Sequence, residues 1–334
     1  MDNINRLMEM IIDLRSDTIT KPTAEMQEAM WAAEVGDDVF GADPTVNQLQ
    51  EKAAKMFGME DALFCASGTM TNQLAIRVHT EPGSDVVCDK NAHIYLYEGG
   101  GIMLNAFSSV KLVDGDRGRM TATQVQDAIS PVNDIHSTVT RLVALENTMN
   151  KGGGAFYDFN EIKAIQQVCQ SHQVPLHLDG ARLFNALVET GESTKQYGEV
   201  FDTISICLSK GLGCPVGSLL LGTKQAISKA RRFRKVMGGG WRQAGFLAAA
   251  GIYALDHHVV RLQEDHQRAK RIAEMFAKRP EVVSIFPVDT NIVIVQLDHT
   301  ISETAYVKKL ADVGILAVSF GKQLVRFVTH LDFN

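Results

Sequence analysis

The sequence predicts an α/β protein: a mostly parallel sheet covered by helices in a large domain, followed by a small α+β domain at the C-terminal end. Three observations carry this. Short apolar or β-branched runs alternate with amphipathic segments, as strands spaced by helices require. Beyond Pro280 the texture changes and strand-like runs dominate. A chain of 334 residues also suits about two domains with ample volume for a buried core.

In chain order, residues 62–65 (ALFC), 85–88 (DVVC), 110–113 (VKLV), 141–145 (RLVAL), 175–178 (PLHL), 203–208 (TISICL) and 217–221 (GSLLL) read as short buried strands. Between them the helical patterns are Thr45–Phe57, Thr71–His79, Thr121–Ala128, Asn160–Ser171 and Thr194–Tyr197. A long helical region from about Gly245 through Ala277 follows, with the charged face RLQEDHQRAKR. The tail then reads strand, strand, helix around Glu303–Val313, strand, strand. The expected division is a large domain over residues 1–250, with an N-terminal segment 1–20, and a small domain over 251–334.

Composition excludes more than it identifies. The chain is 45% hydrophobic and 22% charged, with a net charge of −6, so it carries no electrostatic footprint for nucleic acid. No run approaches the ~20 apolar residues of a membrane span. The start, MDNINRLMEMIIDLRSDT, lacks an apolar core and a small-residue cleavage site, so no signal peptide is expected. Five cysteines without a CxxC pair suit reduced, structural thiols and a cytoplasmic protein.

Four sites follow strands in order. Ser67-Gly68-Thr69 opens a helix, where small residues and backbone N–H groups can converge on an anion. The plain alternative is an N-cap and a tight turn. His93, after the next strand, can lie over an aromatic ring or exchange a proton, or simply be solvated. Asp179, at a strand end, can hold a ring nitrogen protonated, or can cap a helix beside Arg182. Lys210 lies among glycines at another strand end, where a desolvated amine can form a Schiff base with a carbonyl; the alternative is a lysine reaching solvent. The ordered conjunction of all four reads as pyridoxal 5'-phosphate on a parallel sheet.

Other features carry less. Asp256-His257-His258 and Glu264-Asp265-His266 lack a metal-ligand arrangement and read as a solvated helix face, so no metal is expected. The glycine runs at 99–101 and 152–154 read as turns or close backbone approaches. Gly211 and Gly213 precede Pro215, which rules out the helix a dinucleotide motif needs.

The motifs taken together are more specific than any one of them. DLRSDT at 13–18, VGDDVFG at 35–41, LENT at 145–148, HLDGAR at 177–182, ICLSKGLG at 206–213, GGGWRQ at 238–243 and VRFVTHL at 325–331 run almost end to end. With them the chain resembles the low-specificity L-threonine and L-allo-threonine aldolases, which are fold-type-I pyridoxal-phosphate enzymes. The resemblance implies an aldehyde-lyase that cleaves β-hydroxy-α-amino acids to glycine and an aldehyde. It implies that Lys210 carries the cofactor as a Schiff base, Asp179 pairs with the pyridine nitrogen and His93 stacks on the ring. Ser67, Gly68 and Thr69 would hold the phosphate with Arg242 from a neighbouring subunit. Ser16, Arg182 and Arg326 would grip the substrate carboxylate, Arg182 lying next to the cofactor as well, and Lys235 would lie near the site. A homotetramer, built as a dimer of dimers, would complete each site. Other fold-type-I activities (aminotransferase, racemase, β-eliminating lyase) and a non-catalytic binding protein are the alternatives.

Two departures stand out. Bacterial relatives commonly read ENTHN where this chain reads Glu146-Asn147-Thr148-Met149-Asn150, so Met149 stands where a histidine could contact the substrate hydroxyl. The chain also stops at Asn334, where relatives usually continue through another helix, which suggests a missing edge helix or a shortened chain.

Overall fold

The computed structural model describes residues 11–131 and 133–333; expectations for residues 1–10 and for Asn334 fall outside the described residues. The main sheet contains β2 (Asp61–Cys65), β3 (Asp85–Asp89), β4 (Ser109–Val113), β5 (Thr140–Glu146), β6 (Leu176–Gly180), β7 (Thr203–Cys207) and β8 (Ser218–Gly222). Its order is β2-β8-β7-β6-β5-β3-β4. The strands from β7 to β4 are parallel, whereas β8 runs antiparallel to both β7 and β2. The reversal has a simple cause. Residues 208–217 join β7 to β8, too short a run for the crossover that a parallel pair needs. That short connection carries Lys210.

The predicted helical patterns form with small shifts at their ends. Pro44–Phe57 starts on Asp43, whose side chain accepts from Val46 N, and stops at Gly58 in the left-handed region. Gly68–His79 starts on Ser67 in the same way. The region 245–277 differs from expectation: it is two helices, Gly245–His257 and Leu262–Phe276. The break is where His258 turns its Nδ1 to the Leu212 carbonyl oxygen, 2.7 Å away. Helices at Ala24–Trp31, Leu183–Thr190 and Lys224–Val236 had no forecast.

The tail forms a second sheet. Strands β9 (Val282–Ile285), β10 (Ile292–Leu297), β12 (Val318–Gly321) and β13 (Leu324–Val328) are antiparallel in the order β12-β13-β10-β9. A short parallel pair joins β1 (Ile12–Asp13) to β11 (Ile315–Leu316). The largest apolar cluster packs on the main sheet and includes Leu178, Ile206, Ala248, Ala254 and Leu262. A separate one under the second sheet includes Leu14, Ala269, Val293, Val295 and Phe327. The Leu262–Phe276 helix contributes Leu262 to the first cluster and Ala269 to the second. All five cysteines are buried and unpaired. Among the described residues no helix is long and apolar enough to cross a membrane.

Candidate active site

The parallel strands deliver their last residues to one edge, where open α/β sheets place their crevice. Asp179 in β6 is 3% exposed. Its Oδ2 accepts from Asn72 Nδ2 at 2.8 Å and its Oδ1 from the Ala181 N–H at 3.1 Å. Asn72 Oδ1 in turn faces His177 Nε2 at 3.2 Å, while Thr203 Oγ1 lies 2.9 Å from His177 Nδ1. Burial drives the His177 pKa down to about 4, so the ring is neutral; its Nδ1 faces both the hydroxyl and, at 3.1 Å, the backbone carbonyl of Thr203. The Asn72 amide gives its two hydrogens to Asp179 and to Glu98 Oε1.

His93 follows β3. Its backbone N–H donates to Glu146 Oε2 at 2.7 Å, and its Nδ1 lies 3.1 Å from Glu98 Oε1. Glu146 ends β5, and its other oxygen accepts from the Asn150 N–H at 2.8 Å. Burial, then the charge of Asp179, pushes the Glu146 carboxyl up towards neutrality. For His93, burial opposes the charged form, but the bond to Glu98 and the charges of Asp179 and Glu146 outweigh it and raise its pKa. Ligand-type atoms of His93, Glu98 and Asp179 lie within 4.8 Å of one another. The oxygens of both carboxylates already accept N–H groups, so this cluster is a closed hydrogen-bond network, not an open set of metal ligands.

Beside the network is a cavity of about 540 Å³, lined by Ser16, His93, Lys151, Arg182, Lys210 and Arg326 among others. Among the described residues no Asp or Glu lines it. Among the described residues Lys210 Nζ has a hydrogen-bond contact to Cys207 Sγ at 3.6 Å and no ion pair within 4 Å, although its charge also helps hold the Asp17 carboxyl low. Arg182 is buried and bidentate to Asp17, with bonds of 2.8 and 2.7 Å. Burial alone would raise the Asp17 pKa; the Arg182 guanidinium overrides it and brings the carboxyl down to about 2. Among the described residues Arg326 has no ion-pair partner. It donates to Asn150 Oδ1 and to the Arg15 carbonyl, lies 4.6 Å over the Phe320 ring, and leaves Nε buried without a partner. Burial, then the charge of Arg182, lowers it to about 10, still cationic at neutral pH.

Other residues named from the sequence lie outside this cavity. Ser67 Oγ caps the Gly68–His79 helix through Met70 N, and leaves the Gly68 and Thr69 N–H groups without intrahelical acceptors. Gly68 is tight: a Cβ there would lie 2.5 Å from Cys207 Sγ. Arg242 is exposed and pairs with Asp37 at 2.9 Å, and Lys235 is exposed nearby. Met149 is wholly buried, with its side chain against Gly118 and Gly152 rather than on the cavity. Sequence reasoning gave no role to Asp17, Asn72, Glu98 or Glu146. Asp17 and Glu146 sat inside quoted motifs; Glu98 had a signal only in the three glycines that follow it.

With this geometry in view, likeness to known proteins is informative. The model of the β-eliminating lyase family matches residues 13–300. The low specificity L-threonine aldolase of Escherichia coli (strain K12) is 43% identical over 326 residues, which cover 97% of this chain and 95% of that one. The chain belongs to the low-specificity L-threonine aldolase family. The probable low-specificity L-threonine aldolase 2 of Arabidopsis thaliana is 41% identical over 325 residues, covering 96% and 92% of the two chains. A putative L-allo-threonine aldolase from Listeria monocytogenes superposes with a TM-score of 0.81 at 21% identity, over 99% of this chain and 93% of that one. The architecture is the fold-type-I arrangement expected from the motifs. Within this family's fold, the acid-free cavity lies beside the strand ends that carry Asp179, His93 and Lys210.

Proposed function

We propose that this protein cleaves L-threonine, L-allo-threonine and related β-hydroxy-α-amino acids to glycine and an aldehyde, with pyridoxal 5'-phosphate as cofactor. The observation that carries the reading is the convergence of Asp179, His93 and Lys210 beside a cavity lined by cations and no acid. The residues fit the cofactor. Lys210 is an amine without an ion-pair partner, Asp179 is a buried carboxylate at a strand end, and the Gly68–His79 helix presents free N–H groups. Lys210 would hold the carbonyl carbon, Asp179 the ring nitrogen, His93 the ring face, and Ser67, Gly68 and Thr69 the phosphate. Arg242 would complete the phosphate site from a neighbouring subunit. Bound there, the cofactor supplies an electron sink for the pair released when the Cα–Cβ bond breaks.

The chain's own residues do the rest. Arg326 and Ser16 take the substrate carboxylate, and Arg182, fixed by Asp17, closes the site with its remaining N–H groups. Fixing the carboxylate selects which bond at Cα is aligned for cleavage. Asn72 and the Ala181 N–H hold the two oxygens of Asp179 in place. His93 offers a nitrogen to the β-hydroxyl proton.

The wider reading is a cytoplasmic homotetramer, a dimer of dimers, with domains 1–250 and 251–334. The test is acetaldehyde release from L-threonine by cofactor-loaded protein, with an absorbance band that borohydride removes. Lys210→Ala is expected to lose both. A loaded protein that releases no aldehyde but transaminates or racemises the amino acid overturns the aldolase reading, and a coloured, active Lys210→Ala protein overturns the whole assignment.

A further inference from the structure

The Glu98 side chain is wholly buried, and three N–H donors meet it. Oε1 accepts from Asn72 Nδ2 at 2.9 Å and faces His93 Nδ1 at 3.1 Å, and Oε2 accepts from Gln73 Nε2 at 2.6 Å. The glycine run at 99–101 explains how a carboxylate reaches this depth. Gly99 and Gly100 take φ of 63° and 73°, which turn the chain sharply after Glu98. A Cβ on Gly101 would lie 2.5 Å from the Gln73 carboxamide carbon, so only glycine lets this segment close on the Gly68–His79 helix. With Nδ1 engaged by Glu98, Nε2 has no hydrogen-bond partner among the described residues, and His93 lines the cavity.

We propose that Glu98 is a positioning residue: it holds the His93 imidazole by Nδ1, fixes the proton there, and leaves Nε2 as the nitrogen that exchanges a proton with the cavity's occupant. This rests on the aldolase reading for its substrate, not for its geometry. The proton taken up at Nε2 comes from the substrate β-hydroxyl, whose oxygen becomes the aldehyde carbonyl. The titratable groups facing His93 are Glu98 on its own connection, Glu146 from β5, Asp179 from β6 and Tyr97, whose ring lies 5.6 Å away. The cations of the same cavity are Lys151, Arg182, Lys210 and Arg326. The carboxylates win, and the His93 pKa is raised. Glu98 therefore sets the pH at which Nε2 becomes free to accept a proton. Below that pH the ring is already protonated, so turnover has an acid limb that follows His93.

The test compares wild type, Glu98→Gln and Glu98→Asp. Diethyl pyrocarbonate modifies only the neutral imidazole, so the pH dependence of His93 modification, read by peptide mass spectrometry on protein with and without cofactor, gives its midpoint without turnover. Glu98→Gln is expected to lower the midpoint by about one unit or more. The acid limb of kcat/KM for threonine cleavage moves with it, while cofactor absorbance is retained. Glu98→Asp, which keeps the charge at shorter reach, falls between the two. A midpoint equal to wild type in either variant overturns the proposal, as does loss of activity at all pH values without movement of the limb. If loaded wild type releases no aldehyde, the aldolase reading fails, and the modification midpoints alone still decide the Glu98–His93 pair.

Discussion

Arg182 and Arg326 line the same cavity and are both buried, yet they are held in opposite ways. Arg182 has its charge answered inside the protein, by a bidentate pair to Asp17 whose Oδ2 also accepts from Asn291. Arg326 has only neutral acceptors, Asn150 Oδ1 and the Arg15 carbonyl, with Nε left bare. A buried cation without a counter-charge is costly, and a fold retains it where an incoming anion supplies the missing charge. In the proposed function the substrate carboxylate therefore goes to Arg326 first, with Arg182 held in place by Asp17 beside it.

The largest test of that contrast is Asp17→Asn, which leaves Arg182 buried without its counter-ion and should cost about 3–5 kcal/mol of stability, read by chemical denaturation. The same residue gives the next effect. Its folded pKa, about 2, is below the ordinary aspartate value of 3.8, so its contribution is fully present above that value and lost as pH falls through about 2. The stability gap between wild type and Asp17→Asn should therefore shrink by about 2 kcal/mol across that window, and a constant gap would show that Asp17 does not carry the pairing energy.

Arg326→Ala should act differently: KM for threonine rises about 10- to 100-fold, with little loss of thermal stability, because no protein charge loses its partner. Equal losses from the two variants in both assays would erase the distinction. The smallest effect is expected from Met149→His. Met149 packs against Gly118 and Gly152, next to the Asn150 that holds Arg326. A ring there should alter the threonine to allo-threonine rate ratio about two- to fivefold through Asn150, with cofactor content unchanged.

The main sheet was legible because its strands are short apolar runs bounded by turn residues, and strand ends are where such a sheet shows its polar side chains. Asp179, His93 and Lys210 could be found that way. The partners that hold them could not, because they come from remote segments: Asn72 meets Asp179 across 107 residues, and Arg182 meets Asp17 across 165. Within the basic run 231–235, Arg234 is buried against Asp38 and the Phe64 carbonyl, partners again brought from far along the chain. The break near 258–261 had no Gly or Pro to announce it; a side-chain contact from His258 to Leu212 is made only in the folded protein. Glu98 was hidden for the same reason, and only its glycines gave a trace.

The β1–β11 pairing has a consequence for how the molecule comes into being. Arg326 donates to the Arg15 carbonyl across 311 residues of chain, and Ile12 pairs with Ile315. During synthesis the main sheet can be complete long before either partner of that short ladder meets the other. The segment bearing Ser16 and Asp17 must then wait, with Arg182 uncompensated, until the second sheet has emerged. The end of the cavity that carries Arg326 and Ser16 is thus assembled last.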